Sequence, residues 1–321
     1  MKIVIIGGGP AAVESAVAAR KNAPEAEVEI YSAENSLPYR RPALSGLLAR
    51  DKKLESGSFY IKDEAFFAAG NIGFHPGYRA VGIEGKNVIL ASGEKITFDK
   101  LILACGSNAV RPAIPGAEKG YTLRNLSDMD KLAAKLDSGV KNAVIIGGGV
   151  LGLEIADSLL TRQIKTVVLE AAPQLFPGRL SGDEAAALLA RVNALENLQV
   201  ICNQVVEKIS DSAVTLENGM EFPADAVIMA TGSLPDTSLA QSAGLKCARG
   251  VIVDEFMRTS NADIFACGDA AEFNGRCFNL YMDAMSSGKA AGANAAGVET
   301  RFTARPSPMR LMALGEKLVM N

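Results

Sequence analysis

Short apolar runs alternate along the chain with alanine-rich amphipathic segments, and glycine ends each run after a few residues. The first run, Ile3–Ile6, leads into Gly7-Gly8-Gly9 and then into a segment with helical spacing over residues 11–21. A second β-like run covers residues 27–31. This order of strand, glycine turn, helix and strand predicts a βαβ unit.

The same order occurs again in the middle of the chain. The hexapeptide Val144–Gly149 is identical to Val4–Gly9. A helical pattern over residues 150–162 and a β-like run over residues 165–170 follow it. The sequence therefore predicts two βαβ units built on one plan.

A second motif also repeats, because Leu101–Ser107 is similar to Val227–Ser233. Before each copy of this motif, alternating apolar and polar positions predict an antiparallel ribbon. The predicted ribbon strands are residues 80–83, 87–91 and 95–98 in the first unit, and residues 199–202, 213–216 and 221–222 in the second. Both units thus share an opening and a closing motif.

The rest of the chain predicts a connection into the second unit and a later return to the first unit. The prolines of Arg111–Gly116 favour an extended connection into the second unit. Strands over residues 251–254 and 264–266, followed by a helix over about residues 282–296, complete the first unit. We therefore predict an α/β fold with two Rossmann-like dinucleotide-binding domains, the second inserted into the first.

Composition excludes several classes of protein. Lys and Arg total 33 against 36 Asp and Glu, a net charge of −3, so we expect no nucleic-acid partner. No apolar run approaches the roughly 20 residues of a membrane span. Met1-Lys2-Ile3 leads directly into a strand without the features of a signal peptide, so we expect a cytoplasmic protein. Five dispersed cysteines without a C-x-x-C pair exclude a disulfide scaffold and a zinc site, and we expect no bound metal.

Both glycine loops fit the dinucleotide-binding fingerprint, as Gly7-x-Gly9-x-x-Ala12 and Gly147-x-Gly149-x-x-Gly152. The first glycine allows a tight turn, the second lets backbone approach a diphosphate, and the third small residue lets helix pack on strand. A single copy could serve packing alone. Two copies, each between a strand and a helix, favour nucleotide binding.

An acidic residue about 20 positions after the glycines accepts hydrogen bonds from a ribose in such units. Glu170 ends the strand of the second unit at this spacing. Its charge would repel a 2′-phosphate, which favours NADH over NADPH. In the first unit the corresponding strand ends at Tyr31-Ser32, and Glu34 follows two residues later. Either could contact a ribose, and we favour Glu34.

Further motifs stand in a recognisable order. Pro38–Ser45 is similar to P-Y-x-R-P-x-L-S, Leu101–Gly106 to an apolar run followed by A-T-G, and Thr259–Asp269 to T-x4-I-(F/Y)-A-x-G-D. Arg111–Gly116 and Ala230–Gly232 lie between them. With the two fingerprints, these motifs resemble the FAD-dependent pyridine nucleotide-disulfide oxidoreductase superfamily, in its branch of rubredoxin reductases, ferredoxin reductases and NADH-nitrite reductase flavin modules.

The resemblance implies a glutathione-reductase-like fold. Residues 1–114 and 239–300 would bind FAD, residues 115–238 would bind NADH, and residues 301–321 would be the remnant or start of a C-terminal domain that is mostly absent. The FAD-binding residues implied are Gly7, Gly9, Pro10, Ala11, Ala12, Glu34, Arg41, Pro42, Ser45, Ala80, Ala104, Gly106, Gly268 and Asp269. The NAD-binding residues implied are Gly147, Gly149, Val150, Leu151, Gly152, Glu170 and Gly232.

The resemblance also implies an NADH-dependent flavoprotein reductase. Hydride would pass from the nicotinamide to flavin N5, with Glu154 as the candidate catalytic residue in that region, and electrons would then leave to an external carrier. The implied partner is a small acidic electron carrier, rubredoxin or ferredoxin. A basic segment that could steer it, or that could be a solvated loop, comprises Arg40, Arg41, Arg50, Lys52 and Lys53.

Two other functions stay open. The chain could be the flavin module of an NADH-nitrite reductase that feeds a partner chain. It could also be a nucleotide-responsive FAD-binding protein with little turnover. Retention of both glycine loops and of Glu170 favours turnover.

Departures from the family pattern narrow the chemistry. Residues 37–48 contain no cysteine, so we expect no dithiol exchange. We expect Cys105 and Cys267 to pack as small apolar residues. The only histidine, His75, lies in a predicted loop outside the motifs, and we expect no catalytic role for it.

Two substitutions fall close to the implied site. Gly46 stands where many relatives have a lysine, which leaves Glu154 without its usual ionic partner. Ser287 stands where glutamine is common, in the predicted helix that follows Asp269. That helix would direct its N-terminal N–H groups at the flavin.

Overall fold

A computed structural model describes residues 1–49, 59–304 and 308–320 of the chain. In chain order the helices are α1 (Pro10–Asn22), α2 (Leu44–Leu48), α3 (Glu64–Ala69), α4 (Leu126–Asp137), α5 (Val150–Thr161), α6 (Gly182–Asn193), α7 (Ser238–Ser242) and α8 (Tyr281–Ala295). The strands are β1 (Lys2–Ile6), β2 (Glu27–Ser32), β3 (Gly73–Pro76), β4 (Ala80–Glu84), β5 (Asn87–Leu90), β6 (Lys95–Thr97), β7 (Lys100–Leu103), β8 (Ser107–Ala109), β9 (Asn142–Ile146), β10 (Lys165–Leu169), β11 (Leu198–Ile201), β12 (Val206–Ile209), β13 (Ala213–Leu216), β14 (Glu221–Pro223), β15 (Ala226–Met229), β16 (Ser233–Pro235), β17 (Val251–Val253), β18 (Ile264–Ala266), β19 (Ala271–Phe273), β20 (Arg276–Cys277), β21 (Met309–Leu311) and β22 (Leu318–Met320).

The described residues form two compact units. The first unit comprises residues 1–40, 59–108 and 234–304, and the second comprises residues 41–49, 109–233 and 308–320. These limits differ from the predicted boundaries after residues 114 and 238 by a few positions. Residues 41–49 belong to the second unit, whereas the sequence placed them in the first, because α2 packs on α4 and α5.

The core of the first unit is a parallel sheet with the strand order β18-β7-β1-β2-β3. Parallel sheets are covered on both faces, so their strands are apolar on both sides. Ile3, Val4 and Ile5 of β1 accordingly have no exposed surface. The predicted ribbon β4-β5-β6 is antiparallel.

Helices α1 and α8 pack closely against each other in the first unit. A Cβ at Gly288 would lie 2.3 Å from the backbone oxygen of Ala11, and one at Gly292 would lie 2.1 Å from that of Ser15. Only glycine therefore allows this approach. The Ser15 hydroxyl is 2.8 Å from the oxygen of Ala11 and 2.9 Å from that of Gly288, so its proton can bond either helix.

The second unit repeats the parallel sheet, here with the order β11-β10-β9-β15, and adds the antiparallel ribbon β12-β13-β14. The predicted first ribbon strand, residues 199–202, is wrong. Leu198–Ile201 is the edge strand β11 of the parallel sheet, and Val206–Ile209 begins the ribbon. An edge strand shows the same alternation as a ribbon strand, which explains the error.

His75 lies in strand β3 rather than in the predicted loop. It pairs with Tyr31 across the sheet, and the two rings stack with centroids 4.5 Å apart. Its Nε2 is 2.5 Å from Oε2 of Glu29. Pro76-Gly77 ends strand β3 and does not place His75 in a loop. The contacts with Tyr31 and Glu29 hold the imidazole in place.

Strands β21 and β22 pair as an antiparallel ribbon in the second unit, where β21 packs on α5. Within the described ranges, none of the helices is both long enough and apolar enough to span a membrane.

Candidate functional site

The first glycine loop joins β1 to α1 at the carboxyl edge of the parallel sheet. Gly7 has φ of 137°, and a Cβ there would lie 2.1 Å from the backbone oxygen of Ala104. Gly9 precedes α1, no side chain caps this helix, and a Cβ at Gly9 would meet no atom within 4 Å. The loop is therefore tightly packed at its first glycine and open at Gly9, as a helix N-terminus that receives a phosphate must be.

The second glycine loop, between β9 and α5, has the same construction. Gly147 has φ of 110°, and a Cβ there would lie 2.4 Å from the backbone oxygen of Ala230. Gly149 precedes α5, again without a side-chain cap and with open space around a hypothetical Cβ. A Cβ at Gly152 would lie 2.0 Å from the oxygen of Gly147, so this helix approaches its strand more closely than an alanine would allow.

The two repeated sequence motifs meet in space within each unit. Ala104 donates its N–H to the oxygen of Ile6 at 2.8 Å, and Ala230 donates to the oxygen of Ile146 at the same distance. Each alanine thus lies beside the glycine that opens the loop. The backbone of each alanine leaves no room for a side chain at Gly7 or Gly147.

Glu170 is fixed at the second loop by two backbone donors. Its Oε2 accepts the N–H of Gly148 at 2.6 Å, and its Oε1 accepts the N–H of Ala172 at 2.8 Å. The carboxylate is partly exposed. These bonds orient it at the end of β10, where the fingerprint requires a ribose acceptor.

The first unit has no acid in the equivalent position. Ile6 pairs with Tyr31 as Ile146 pairs with Leu169, so Ser32 is the counterpart of Glu170 by register. Glu34 lies two residues further, and its Oε2 accepts the hydroxyl of Tyr39 at 2.5 Å. The assignment of Glu34 to the ribose stays a prediction.

The Gly268–Asp269 turn is held by two serines. Gly268 has φ of 64° and donates its N–H to Oγ of the fully buried Ser287 at 3.0 Å. The Ser107 hydroxyl donates to Oδ2 of Asp269 at 3.1 Å, across 162 positions of sequence. The local sequence pattern did not predict that Ser107 contacts Asp269.

The remaining predicted residues have these positions. Pro10 is the first residue of α1, and Ala11 and Ala12 are buried in its first turn. Ala80 opens β4, and Gly106 accepts the N–H of Asp236 at 2.9 Å. Val150 and the 36% exposed Leu151 begin α5, and Gly232 accepts the N–H of Val110 at 2.9 Å.

Three predicted FAD ligands lie in the second unit. Arg41 donates through Nη1 to the oxygen of Arg124 at 2.8 Å, Pro42 is next to it, and the Ser45 hydroxyl lies 3.2 Å from Oε2 of Glu154. The segment is thus fastened to the unit that carries the second glycine loop. Of the predicted basic segment, Arg50, Lys52 and Lys53 lie outside the described residues.

Glu154 is a partly buried carboxyl on α5. Burial raises its pKa to about 7, the hydrogen bond from Ser45 opposes this rise, and the charge of Asp157 adds to it. The group therefore changes its charge near neutral pH. Such a shift is typical of, though not restricted to, functional carboxyls.

The two cysteines nearest the motifs are inert thiols. Burial raises the pKa of Cys105 and that of Cys267 to about 12. The Ser15 hydroxyl lies 3.5 Å from the Cys267 sulfur. Because the thiolate is the reactive form, neither residue is a nucleophile at neutral pH.

Comparison with known proteins agrees with this geometry. The family model described as pyridine nucleotide-disulphide oxidoreductase matches residues 1–293. The rubredoxin-NAD(+) reductase of Pseudomonas putida is 34% identical over 280 residues, which are 84% of this chain and 72% of that protein.

This chain also superposes on solved structures of reductases. The NADH:rubredoxin oxidoreductase of Clostridium acetobutylicum superposes with a TM-score of 0.83 at 30% identity, over 96% of this chain and 78% of that one. The reductase chain in the covalent putidaredoxin reductase–putidaredoxin complex superposes with a TM-score of 0.86 at 26% identity, over 98% of this chain and 79% of that one. The chain belongs to the pyridine nucleotide-disulphide oxidoreductase family.

Proposed function

We propose that this protein is an NADH-dependent flavoprotein reductase that passes electrons to a small carrier protein of the rubredoxin or ferredoxin type. FAD binds the first unit and NADH binds the second. The observation that carries this proposal is the pair of glycine-loop helices without side-chain caps. In the second unit the acid Glu170 also lies at the fingerprint position and is oriented by the N–H of Gly148. Similarity to reductases named for NAD(+) and rubredoxin supports it.

The residues of the first unit fit a flavin dinucleotide. The open side of Gly9 leaves room for a diphosphate at the N-terminus of α1, where backbone N–H groups and the helix dipole favour an anion. Asp269, held by Ser107, offers a carboxylate to the hydroxyl-rich part of the cofactor. Glu34, with Tyr39, is the proposed acceptor for the ribose of this dinucleotide.

The residues of the second unit fit NADH. Gly149 opens the N-terminus of α5 to the diphosphate in the same way. Both carboxylate oxygens of Glu170 already accept backbone N–H groups and keep lone pairs for the ribose hydroxyls. The same charge repels the 2′-phosphate of NADPH.

The protein's contribution is binding and orientation rather than covalent chemistry. FAD held by the first unit would supply the redox chemistry, which is to accept a hydride and to pass on single electrons. Overall, one NADH reduces two one-electron carriers and releases one proton. Glu154, whose pKa lies near 7, can hold a proton at its carboxyl oxygens in the pH range of turnover.

The proposed partner is acidic, because such carriers are generally acidic and a basic surface attracts them. Arg40 is exposed in the first unit and is a candidate contact. Mutating a peripheral charge of this kind changes the association rate and its salt dependence more than the turnover number. We place the reaction in the cytoplasm, where NADH is available.

Steady-state NADH oxidation with separate acceptors tests the proposal. Purified FAD-loaded protein is assayed with rubredoxin, ferredoxin and ferricyanide, each with NADH and with NADPH. We expect carrier reduction with NADH, falling as salt is raised, and much slower reduction with NADPH. Reduction of ferricyanide but of neither carrier would refute the partner class. Failure with every acceptor would refute the reductase function and favour a nucleotide-responsive binding protein.

A further inference from the structure

The Gly268–Asp269 turn lies between helices α1 and α8 of the first unit. It follows strand β18, and a Cβ at Gly268 would lie 2.9 Å from the Cβ of Ala11 and 3.8 Å from that of Ala284. Ala11 is the second residue of α1. The turn therefore lies beside the helix N-terminus that is open at Gly9.

Ser107 holds this turn from the strand side. Strand β7 pairs in parallel with both β1 and β18, so the carboxyl ends of these three strands lie at one edge of the sheet. Ser107 opens β8, shortly after the end of β7, and is 6% exposed. Its hydroxyl donates to Oδ2 of Asp269 at 3.1 Å. This bond orients a carboxylate that is itself partly exposed.

Ser287 holds the same turn from helix α8. Its Oγ accepts the N–H of Gly268 at 3.0 Å and donates to the backbone oxygen of Asp283 at 2.7 Å. The serine has no exposed surface. The next residue, Gly288, packs on the backbone of Ala11. The turn, the first half of α8 and the start of α1 thus form one closely packed, hydrogen-bonded group.

The second unit has no equivalent of this arrangement among the described residues. Strand β15 pairs with β9 as β7 pairs with β1, and Ser233 is the counterpart of Ser107 in the repeated motif. In the described part of the second unit β15 is the edge of the sheet, whereas in the first unit β18 lies beyond β7. The strand end that carries Asp269 is therefore particular to the first glycine loop.

We propose that Ser107 and Ser287 are positioning residues for the Asp269 carboxylate, and that they set this carboxylate in place for the hydroxyl-bearing chain of FAD before the cofactor binds. The proposal rests on the proposed binding of FAD to the first unit. A site that is already ordered costs less conformational entropy when its ligand binds.

The proposal predicts a difference between FAD and ADP. Both ligands carry the diphosphate that fits the N-terminus of α1. In FAD a chain with hydroxyl groups continues from this diphosphate, whereas ADP ends there. A carboxylate accepts hydrogen bonds from hydroxyl groups and has none to donate to a phosphate. Displacing Asp269 should therefore weaken the binding of FAD and leave that of ADP nearly unchanged.

Titration of the full-length, FAD-free protein tests this difference. FAD is titrated directly, and ADP is measured by its competition with FAD, which reports on the same site. We expect Ser107→Ala and Ser287→Ala to weaken FAD about threefold to tenfold, as the loss of one hydrogen bond does, with ADP nearly unchanged. Ser286→Ala is the matched control and should change neither ligand, because its exposed hydroxyl bonds the Asp283 oxygen of its own helix.

Equal weakening of FAD and ADP would overturn the proposal, because it would show a general loosening of the helix N-terminus. FAD binding that neither serine variant changes would overturn it as well. The melting temperature of each FAD-free variant shows whether it is folded. Ser287→Ala leaves a buried N–H without its acceptor. If that variant does not fold, Ser107→Ala decides the test.

A double-mutant cycle identifies the group through which Ser107 acts. We expect Asp269→Ala to weaken FAD at least about tenfold. Ser107→Ala should then add less than about twofold in that background, because changes that act through one group are not additive. Additive effects would overturn the positioning role. Wild-type protein that binds no FAD would refute the proposed function together with this proposal, whereas normal FAD binding with additive effects would refute the positioning alone.

Discussion

The two glycine loops are built alike, but the helices that follow them have different neighbours. Helix α1 is covered by α8, where Gly288 and Gly292 remove side chains and bring the two backbones together. Helix α5 is covered by α2, where the contacts are the polar groups of Ser45, Glu154 and Ser158.

This difference matches the two roles we propose. A nucleotide loop that keeps its cofactor is supported by glycines of α8 that pack against the backbone of α1. A loop whose ligand enters and leaves in two redox states is supported by a carboxyl with a pKa near 7. The comparison predicts that equivalent substitutions in the two units have different effects.

The largest effect is expected from Gly9→Val. The side chain would enter the open space at the N-terminus of α1 rather than clash with the fold, so the protein should fold and lose FAD. We expect at least about 100-fold weaker FAD binding, equivalent to roughly 3 kcal/mol. The ratio of flavin to protein absorbance after gel filtration measures it. A yellow, FAD-loaded variant would contradict the assignment of FAD to the first unit.

The matched substitution Gly149→Val should affect the binding of NADH instead of the binding of FAD. It fills the same space at α5, so FAD should be retained while NADH binding weakens, again about 100-fold. Titration of the flavin spectrum with NADH under anaerobic conditions measures this. Loss of FAD from this variant would mean that the units are assigned the wrong way round.

Gly152→Ala should destabilise the fold, although the first unit carries an alanine, Ala12, at the equivalent position. Its Cβ would lie 2.0 Å from the oxygen of Gly147, and backbone must move to admit it. We expect a loss of about 1–3 kcal/mol of unfolding free energy in urea denaturation. Unchanged stability would show that α5 does not depend on this close approach.

Glu170→Ala should weaken NADH binding by about tenfold, or roughly 1.4 kcal/mol, through lost hydrogen bonds to the ribose. NADPH should lose less, because the repulsion of its 2′-phosphate is removed with the carboxylate. The KM values for both cofactors measure this. An unchanged NADH to NADPH ratio would refute the ribose assignment.

The smallest effect is a pH dependence of stability at Glu154. Its folded pKa of about 7 lies above its ordinary value, so the charged form opposes folding. Wild type should therefore lose stability relative to Glu154→Gln as pH rises from about 4.5 to about 7, with no further loss above that. We expect the gap in melting temperature between the two proteins to widen over this pH interval and to stay constant above it. A gap independent of pH would contradict the raised pKa.

The sequence predicted those parts of the molecule that depend on neighbours along the chain. The two glycine loops and the helices after them are specified by a strand, small residues and an apolar periodicity within about 30 residues. The predicted helix over residues 11–21 is confirmed as Pro10–Asn22, and that over residues 150–162 as Val150–Thr161.

The remainder depends on contacts that are distant in sequence. Ser45 meets Glu154 across 109 positions, and Ser107 meets Asp269 across 162. No local pattern encodes such pairs. For the same reason residues 199–202 were assigned to the ribbon, whereas Leu198–Ile201 forms the edge strand of the parallel sheet. His75 was misplaced because a strand that ends at Pro76-Gly77 is short and weakly apolar.

We propose above that this chain transfers electrons from NADH to a bound flavin. The most direct test is rapid anaerobic mixing of the purified, FAD-loaded protein with NADH and, separately, with NADPH, while the flavin absorbance band is followed. We expect fast bleaching by NADH and slow bleaching by NADPH. A flavin band that NADH leaves unbleached would contradict it.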